Sequence, residues 1–162
     1  MRSTPLMLAM VMLSCSSKTT IVDAGQAPAV PVKVSETLDV TLLPAGSFTA
    51  GSPVELRMRV KNSTGKPQKF CTYHTLFEGL RNDLFEVKRV DGSALEYRGM
   101  MAKRAPPDAD DFITLAPGEA RVSDAVDVSE GYAFTPGTFS VVFTGGSISG
   151  LPASKPLSLT VK

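Results

Sequence analysis

The sequence predicts an all-β fold for residues 36–162, an antiparallel β-sandwich of roughly seven to nine strands. Three observations predict it. Residues 54–61 (VELRMRVK) alternate apolar and charged side chains without a fault, the period of two required by a strand with one buried and one solvated face. Apolar runs of strand length recur along the rest of the segment, separated by Gly, Pro, Asn and Asp, at the spacing of a sandwich. No window of a dozen residues carries the apolar stripe of an amphipathic helix.

The elements follow in order. Leu38, Val40 and Leu42 mark a first strand that ends near Pro44. The alternating segment 54–61 is the second, and Asn62-Ser-Thr-Gly-Lys-Pro67 stops it with turn formers. A third strand fits residues 68–73, and a fourth starts at Phe85 and Val87 and is closed by Asp91-Gly92, a hairpin signal. Further strands fit residues 95–98, 112–115, 120–128, 139–143 and 157–161, with room for one helical turn at 108–111. Pro136-Gly137 precedes a strong strand, and the glycine-rich stretch 145–150 is a hairpin loop between the last two. The architecture these elements suit is immunoglobulin-like.

Composition narrows the function. The 17 basic and 16 acidic side chains leave a net charge of +1, so there is no electrostatic footprint for nucleic acid. The amino terminus reads as an export signal: Met1 and Arg2 are followed by an apolar run over residues 6–13. That run is about 8 residues long, too short for a membrane-spanning helix, which needs roughly 20. Leu13-Ser14-Cys15 resembles the lipobox of bacterial lipoproteins, with Met12 where that pattern prefers Leu. The resemblance implies cleavage after residue 14 and diacylation of Cys15, a membrane anchor stronger than a single acyl chain. It also implies a cell-envelope location, and Ser16 suits sorting to the outer membrane. Residues 15–35 are rich in Ser, Thr, Ala and Pro and read as a disordered tether. With Cys15 so used, Cys71 stands alone, and the domain has no disulfide within it.

Catalytic constellations are missing from the pattern. The single histidine, His74, has no Gly-x-Ser-x-Gly elbow to serve and no second His for a zinc helix. Cys71 and His74, three apart, point to opposite faces of a strand. Asp108, Asp110 and Asp111 lack the spacing of an EF-hand and read as a solvated acidic loop. Met100, Met101, His74 and Cys71 supply soft ligands, but no spacing assembles them into a copper site. The expectation is a non-catalytic chain without cofactor or metal.

Its most specific segments are Tyr73-His-Thr-Leu-Phe-Glu-Gly79, Leu84-Phe-Glu-Val-Lys-Arg89, Tyr97-Arg-Gly-Met-Met-Ala-Lys-Arg-Ala-Pro-Pro107 and Asp111-Phe-Ile-Thr-Leu-Ala-Pro-Gly118. Together they resemble the non-catalytic, propeptide-like domain that precedes the protease in bacterial deuterolysin and peptidyl-Lys metalloendopeptidase precursors, here without the protease. Thr75, Glu78 and Gly79 match that family's turn, whereas Leu76 replaces a common Pro and Cys71 an aliphatic residue. The resemblance implies an inhibitor or folding partner of a secreted, lysine-directed zinc metalloendopeptidase, acting by occluding the active-site cleft. Lys103, beside Arg104, would enter an acidic specificity pocket, Met100 and Met101 would pack on the cleft rim, His74 would approach the zinc, and the turn residues Thr75, Glu78 and Gly79 would share in binding the protease. The rival expectation is a structural or adhesive immunoglobulin-like envelope lipoprotein, in which these motifs preserve folding alone.

Overall fold

A computed structural model describes residues 38–162; the export signal 1–14, Cys15 and the tether over 15–35 lie outside the described residues. The chain is mostly β, with antiparallel sheets and, among the described residues, no helix longer than a three-residue 3-10 turn. No helix there is long and apolar enough to cross a membrane.

Among the described residues, nine strands form three sheets. In the first, β1 (Leu38–Pro44) pairs along its whole length with β2 (Glu55–Asn62), which also pairs with β6 (Ala120–Val122) and β7 (Val126–Asp127). In the second, β3 (Gln68–Cys71) pairs with β5 (Phe112–Leu115). In the third, β8 (Gly137–Phe143) lies between β4 (Phe85–Arg89) and β9 (Leu157–Val161). The alternation read in 54–61 carries through, since Leu56, Met58 and Val60 are fully buried while Glu55 and Arg57 face water. These side chains meet Leu38, Val40 and Leu42 of β1, and Phe85, Val87, Phe139, Val141, Phe143 and Leu159 of the third sheet, in one apolar cluster.

Several expected boundaries shift for local reasons. The expected strand over 120–128 is divided. Val122 pairs with Arg59 and Val126 with Leu56, so the three residues between them on one strand oppose two on the other. That is one residue too many, a bulge. Ser123 fills it: its N–H donates to the Met58 carbonyl at 2.9 Å, and its hydroxyl accepts from the Met58 N–H at 2.9 Å. The expected strand over 95–98 is reduced to isolated bridges, Lys88 with Ala94 and Tyr97 with Tyr132. Leu95 still donates to the Val87 carbonyl, but beyond it Tyr97 turns its ring onto Tyr132, centroids 5.2 Å apart. A Cβ at Gly131 would lie 2.4 Å from that ring, so only glycine admits it. The third strand stops at Cys71 instead of residue 73, where the chain turns toward the Leu76–Glu78 3-10 turn. The fourth ends at Arg89, where the Asp91-Gly92 turn closes it as expected.

Buried polar side chains join the sheets. The fully buried Asn62 amide donates to the carbonyls of Lys66 at 2.8 Å and Leu115 at 3.0 Å, and accepts from the N–H and hydroxyl of Thr64. The Tyr132 hydroxyl accepts from the Phe85 N–H at 3.0 Å and donates to Asp83 at 2.6 Å. Burial, then the hydrogen bond to Asp83, raises the Tyr132 pKa well above the ordinary tyrosine value.

Asn62→Ala strands several buried groups at once and is expected to lower stability by about 3 kcal/mol in urea unfolding, with at least as large a loss for Asn62→Asp, whose buried carboxylate would face the two carbonyls. Tyr132→Phe removes an acceptor from a buried N–H and is expected to lower it by about 1–2 kcal/mol. A tyrosine whose pKa is raised by folding contributes fully below its unfolded value, near 10, and progressively loses that contribution as pH rises above it. Stability of the parent chain therefore falls above about pH 10, and Tyr132→Phe is expected to flatten that fall in unfolding measured across the alkaline range.

Candidate functional site

The segment after β3 is shaped by three of the predicted residues. Thr75 is fully buried and caps the 3-10 turn Leu76–Glu78: its hydroxyl accepts from the Phe77 N–H at 3.1 Å and donates to the Thr72 carbonyl at 2.5 Å. Gly79 ends the turn at φ 83, a left-handed conformation that glycine adopts without strain, and returns its N–H to Leu76. His74 is the one non-glycine residue among those described with positive φ, at 56. Its strained backbone is held by a 2.8 Å hydrogen bond from its N–H to Glu78 Oε1.

Glu78 is the junction of the cluster. One carboxylate oxygen takes the His74 N–H, and the other takes the Arg104 guanidinium at 2.7 Å. The Glu78 side chain is 8% exposed and that of Arg104 34%, so the pair is drawn well out of water on one side only. The guanidinium also lies over the Tyr73 ring, 5.2 Å from its centroid. Arg81 Nε donates to the Glu78 carbonyl at 2.9 Å, and the Arg81 carbonyl accepts from the Ala102 N–H at 2.9 Å. Residues 73–81 thus brace the loop 99–107 from beneath.

The loop presents its predicted residues unequally. Residues 101–108 have neither helix, strand nor turn. Met100 and Met101 are 59% and 66% exposed, among the most exposed large apolar side chains described. Tyr97 donates its hydroxyl to the Met100 carbonyl at 2.6 Å, which fixes the backbone there and leaves the side chain in water. Lys103 is exposed and its ammonium makes no ion pair among the described residues. Arg104, expected to be presented beside it, is instead turned back onto Glu78 and Tyr73. The structure therefore joins His74, Thr75, Glu78, Gly79 and Arg104 in one hydrogen-bonded cluster, while Met100, Met101 and Lys103 project from it.

Sequence reasoning missed Tyr73, Arg81, Tyr97 and Asp111 as supports. Asp111 accepts the Thr72 N–H on its carbonyl at 2.8 Å, and its carboxylate raises the Tyr73 pKa, first through a hydrogen bond to the phenol. The Tyr73, Tyr97 and Asp111 positions lie within the quoted motifs, whereas Arg81 lies outside them. Asp108 and Asp111 hydrogen-bond each other's backbone N–H groups in a capping box about the turn Ala109–Asp111. Among the described residues, no group of three or more His, Cys, Asp and Glu side chains is placed to hold a metal ion. Cys71 is fully buried, and burial above all pushes its thiol up, away from the nucleophilic thiolate. A separate cleft of about 310 Å³ shares no lining residue with this cluster, and its carboxylate, Asp127, already accepts from Val54 and Ser129.

Compared with known proteins, the chain matches no family model and no curated relative. The arrangement itself offers a braced, exposed loop with two thioethers and one unpaired cation.

Glu78→Ala removes the partner of Arg104 and of the His74 N–H and is expected to cost about 2 kcal/mol, less than a fully buried pair because Arg104 keeps some water. Amide exchange of His74 and Ala102 should accelerate in the same variant. Lys103→Ala is expected to change stability by no more than about 0.5 kcal/mol.

Proposed function

We propose that this chain is a non-catalytic, protein-binding domain of the immunoglobulin-like sandwich type. It presents residues 100–103 to the active-site cleft of a secreted zinc metalloendopeptidase of the deuterolysin-like, lysine-directed kind, and so blocks it. The observation that carries the reading is the loop: Met100, Met101 and Lys103 stand in water on a backbone tied at Met100 and Ala102, next to the Arg104–Glu78 pair. A loop already held in one geometry loses little ordering entropy on docking, so more of its contact energy appears as affinity. Lys103 is the group an acidic pocket would select, and the two methionines are adaptable apolar contacts for a cleft rim. The partner's identity rests on the resemblance of the four motifs to propeptide-like domains. In this reading the lipobox-like Cys15 holds the domain at the cell envelope, near the producer's own secreted enzyme.

The rival reading, a structural or adhesive envelope module, has one observation in its favour. Thr75, Glu78 and Gly79 are occupied by hydrogen bonds within the domain, as folding motifs would be. Lys103 separates the two readings because it takes part in none of the hydrogen bonds or ion pairs that hold that cluster.

The chain is expected to inhibit a lysine-directed zinc endopeptidase saturably in a peptide-hydrolysis assay, with Lys103→Ala weakening inhibition by about a hundredfold, the loss of one desolvated, paired cation. Absence of inhibition and of any complex would leave the structural module.

A further inference from the structure

We infer that the loop is built to be cut beside Lys103 and to hold both new ends in place, so that a lysine-directed protease which hydrolyses it is retained on the protein. This rests on the reading of residues 100–103 as the protease-facing segment, and it adds how that segment resists its partner.

Among the described lysines, Lys103 alone combines exposed, irregular backbone with a bond on its carboxyl side that no proline obstructs. Lys61, Lys69 and Lys88 lie within β2, β3 and β4, whose ladders would have to open first. Lys66 and Lys155 each precede a proline, whose ring and missing N–H obstruct the bond after them. Lys162 is held by backbone hydrogen bonds to Phe48 and Ala50. Around Lys103, by contrast, the only backbone N–H of residues 99–107 bonded to another backbone group is that of Ala102. Exposed, unpaired backbone of this kind is where proteolytic nicking concentrates.

The same loop is arranged to survive the cut. Hydrolysis adds one water across an amide flanking Lys103: the C–N bond breaks, the acyl carbon becomes a carboxylate and the nitrogen an ammonium. On the amino-terminal side, Ala102 stays tied to Arg81 and Met100 to Tyr97. On the carboxyl-terminal side, Arg104 stays on Glu78 and Tyr73, and Pro106-Pro107 leads into the capped turn at Asp108. Beyond the loop, the strands before and after the cut pair with each other: β2 with β6 and β7, β3 with β5, and β4 with β8. The two halves cannot part without unfolding. The new carboxylate and ammonium therefore remain neighbours at high effective concentration, and expulsion of the same water re-forms the bond on the enzyme. Arg104 is a positioning residue in this scheme, since it holds one new end through Glu78.

The test uses the full chain and a lysine-specific serine endopeptidase as probe, with products read by mass after denaturation and by native gel filtration. The first cut within residues 38–162 should fall beside Lys103, and the cut protein should elute as one particle. Purified cut protein returned to fresh enzyme should regain intact chain. Arg104→Ala and, independently, Glu78→Gln should each lower the intact share at the end point about tenfold, as expected for a lost charge-assisted hydrogen bond. Lys103→Ala should resist cutting in the loop. A first cut at another lysine of 38–162, or a cut chain that never rejoins, overturns the inference. Rejoining at Lys103 without any inhibition of a zinc endopeptidase supports it and removes the zinc enzyme as the partner.

Discussion

The amide of Asn62 is the interaction on which the arrangement of sheets depends. It sits at the end of β2, fully buried, and reaches the Leu115 carbonyl at the end of β5. Its oxygen meanwhile orders the turn that leads into β3, through Thr64. The Asn62 backbone adds a further pair, donating to Glu119 and accepting from Gly118. One side chain thus joins the first sheet, the second sheet and the two turns between them. A domain whose only described cysteine is free has no covalent link to do this, so the joints are polar groups buried with every partner satisfied.

Tyr132 and the segment before β2 make the other joints. The Tyr132 hydroxyl grips the start of β4, while its ring is covered by Tyr97 and Phe85. The connection from β1 to β2 passes beside β9, where Phe48 bridges Val161 and Ala50 donates to Lys162. Satisfied joints of this sort make the framework rigid, and a rigid framework is what allows an irregular loop to keep one shape. Glu78 transmits that rigidity outward: it is held from the Thr75-capped turn and in turn holds Arg104. Its neighbour in sequence, Lys103, remains unpaired. Two adjacent basic residues thereby acquire different parts, one structural and one presented.

Much of the strand pattern was legible because it is periodic. The 54–61 segment, the β1 residues and the terminal strands reveal their buried faces through a repeat of two, which follows from strand geometry alone. The bulge at Ser123 was not legible, since an extra residue in one strand shows only against its partner's register. The loss of regular pairing over 95–98 was hidden for a like reason: Tyr97 follows its ring to Tyr132, and that contact outcompetes continuation of the ladder. At the site, the motif residues were legible as a group, but the difference between Lys103 and Arg104 was not. It depends on Glu78, 26 positions away from Arg104.

The sequence by itself determined the all-β character, most of the strands, the turns at Asn62 and Asp91, and the residues that chemistry would notice. Each of these is set by neighbours within a few positions, through side-chain alternation and backbone preference. Tertiary structure alone decided which sheets the strands join, where a ladder breaks, and which cation of an adjacent pair is left unpaired. Those outcomes depend on partners brought together from distant parts of the chain, and a hydrogen bond between such partners leaves no periodic trace in the order of residues.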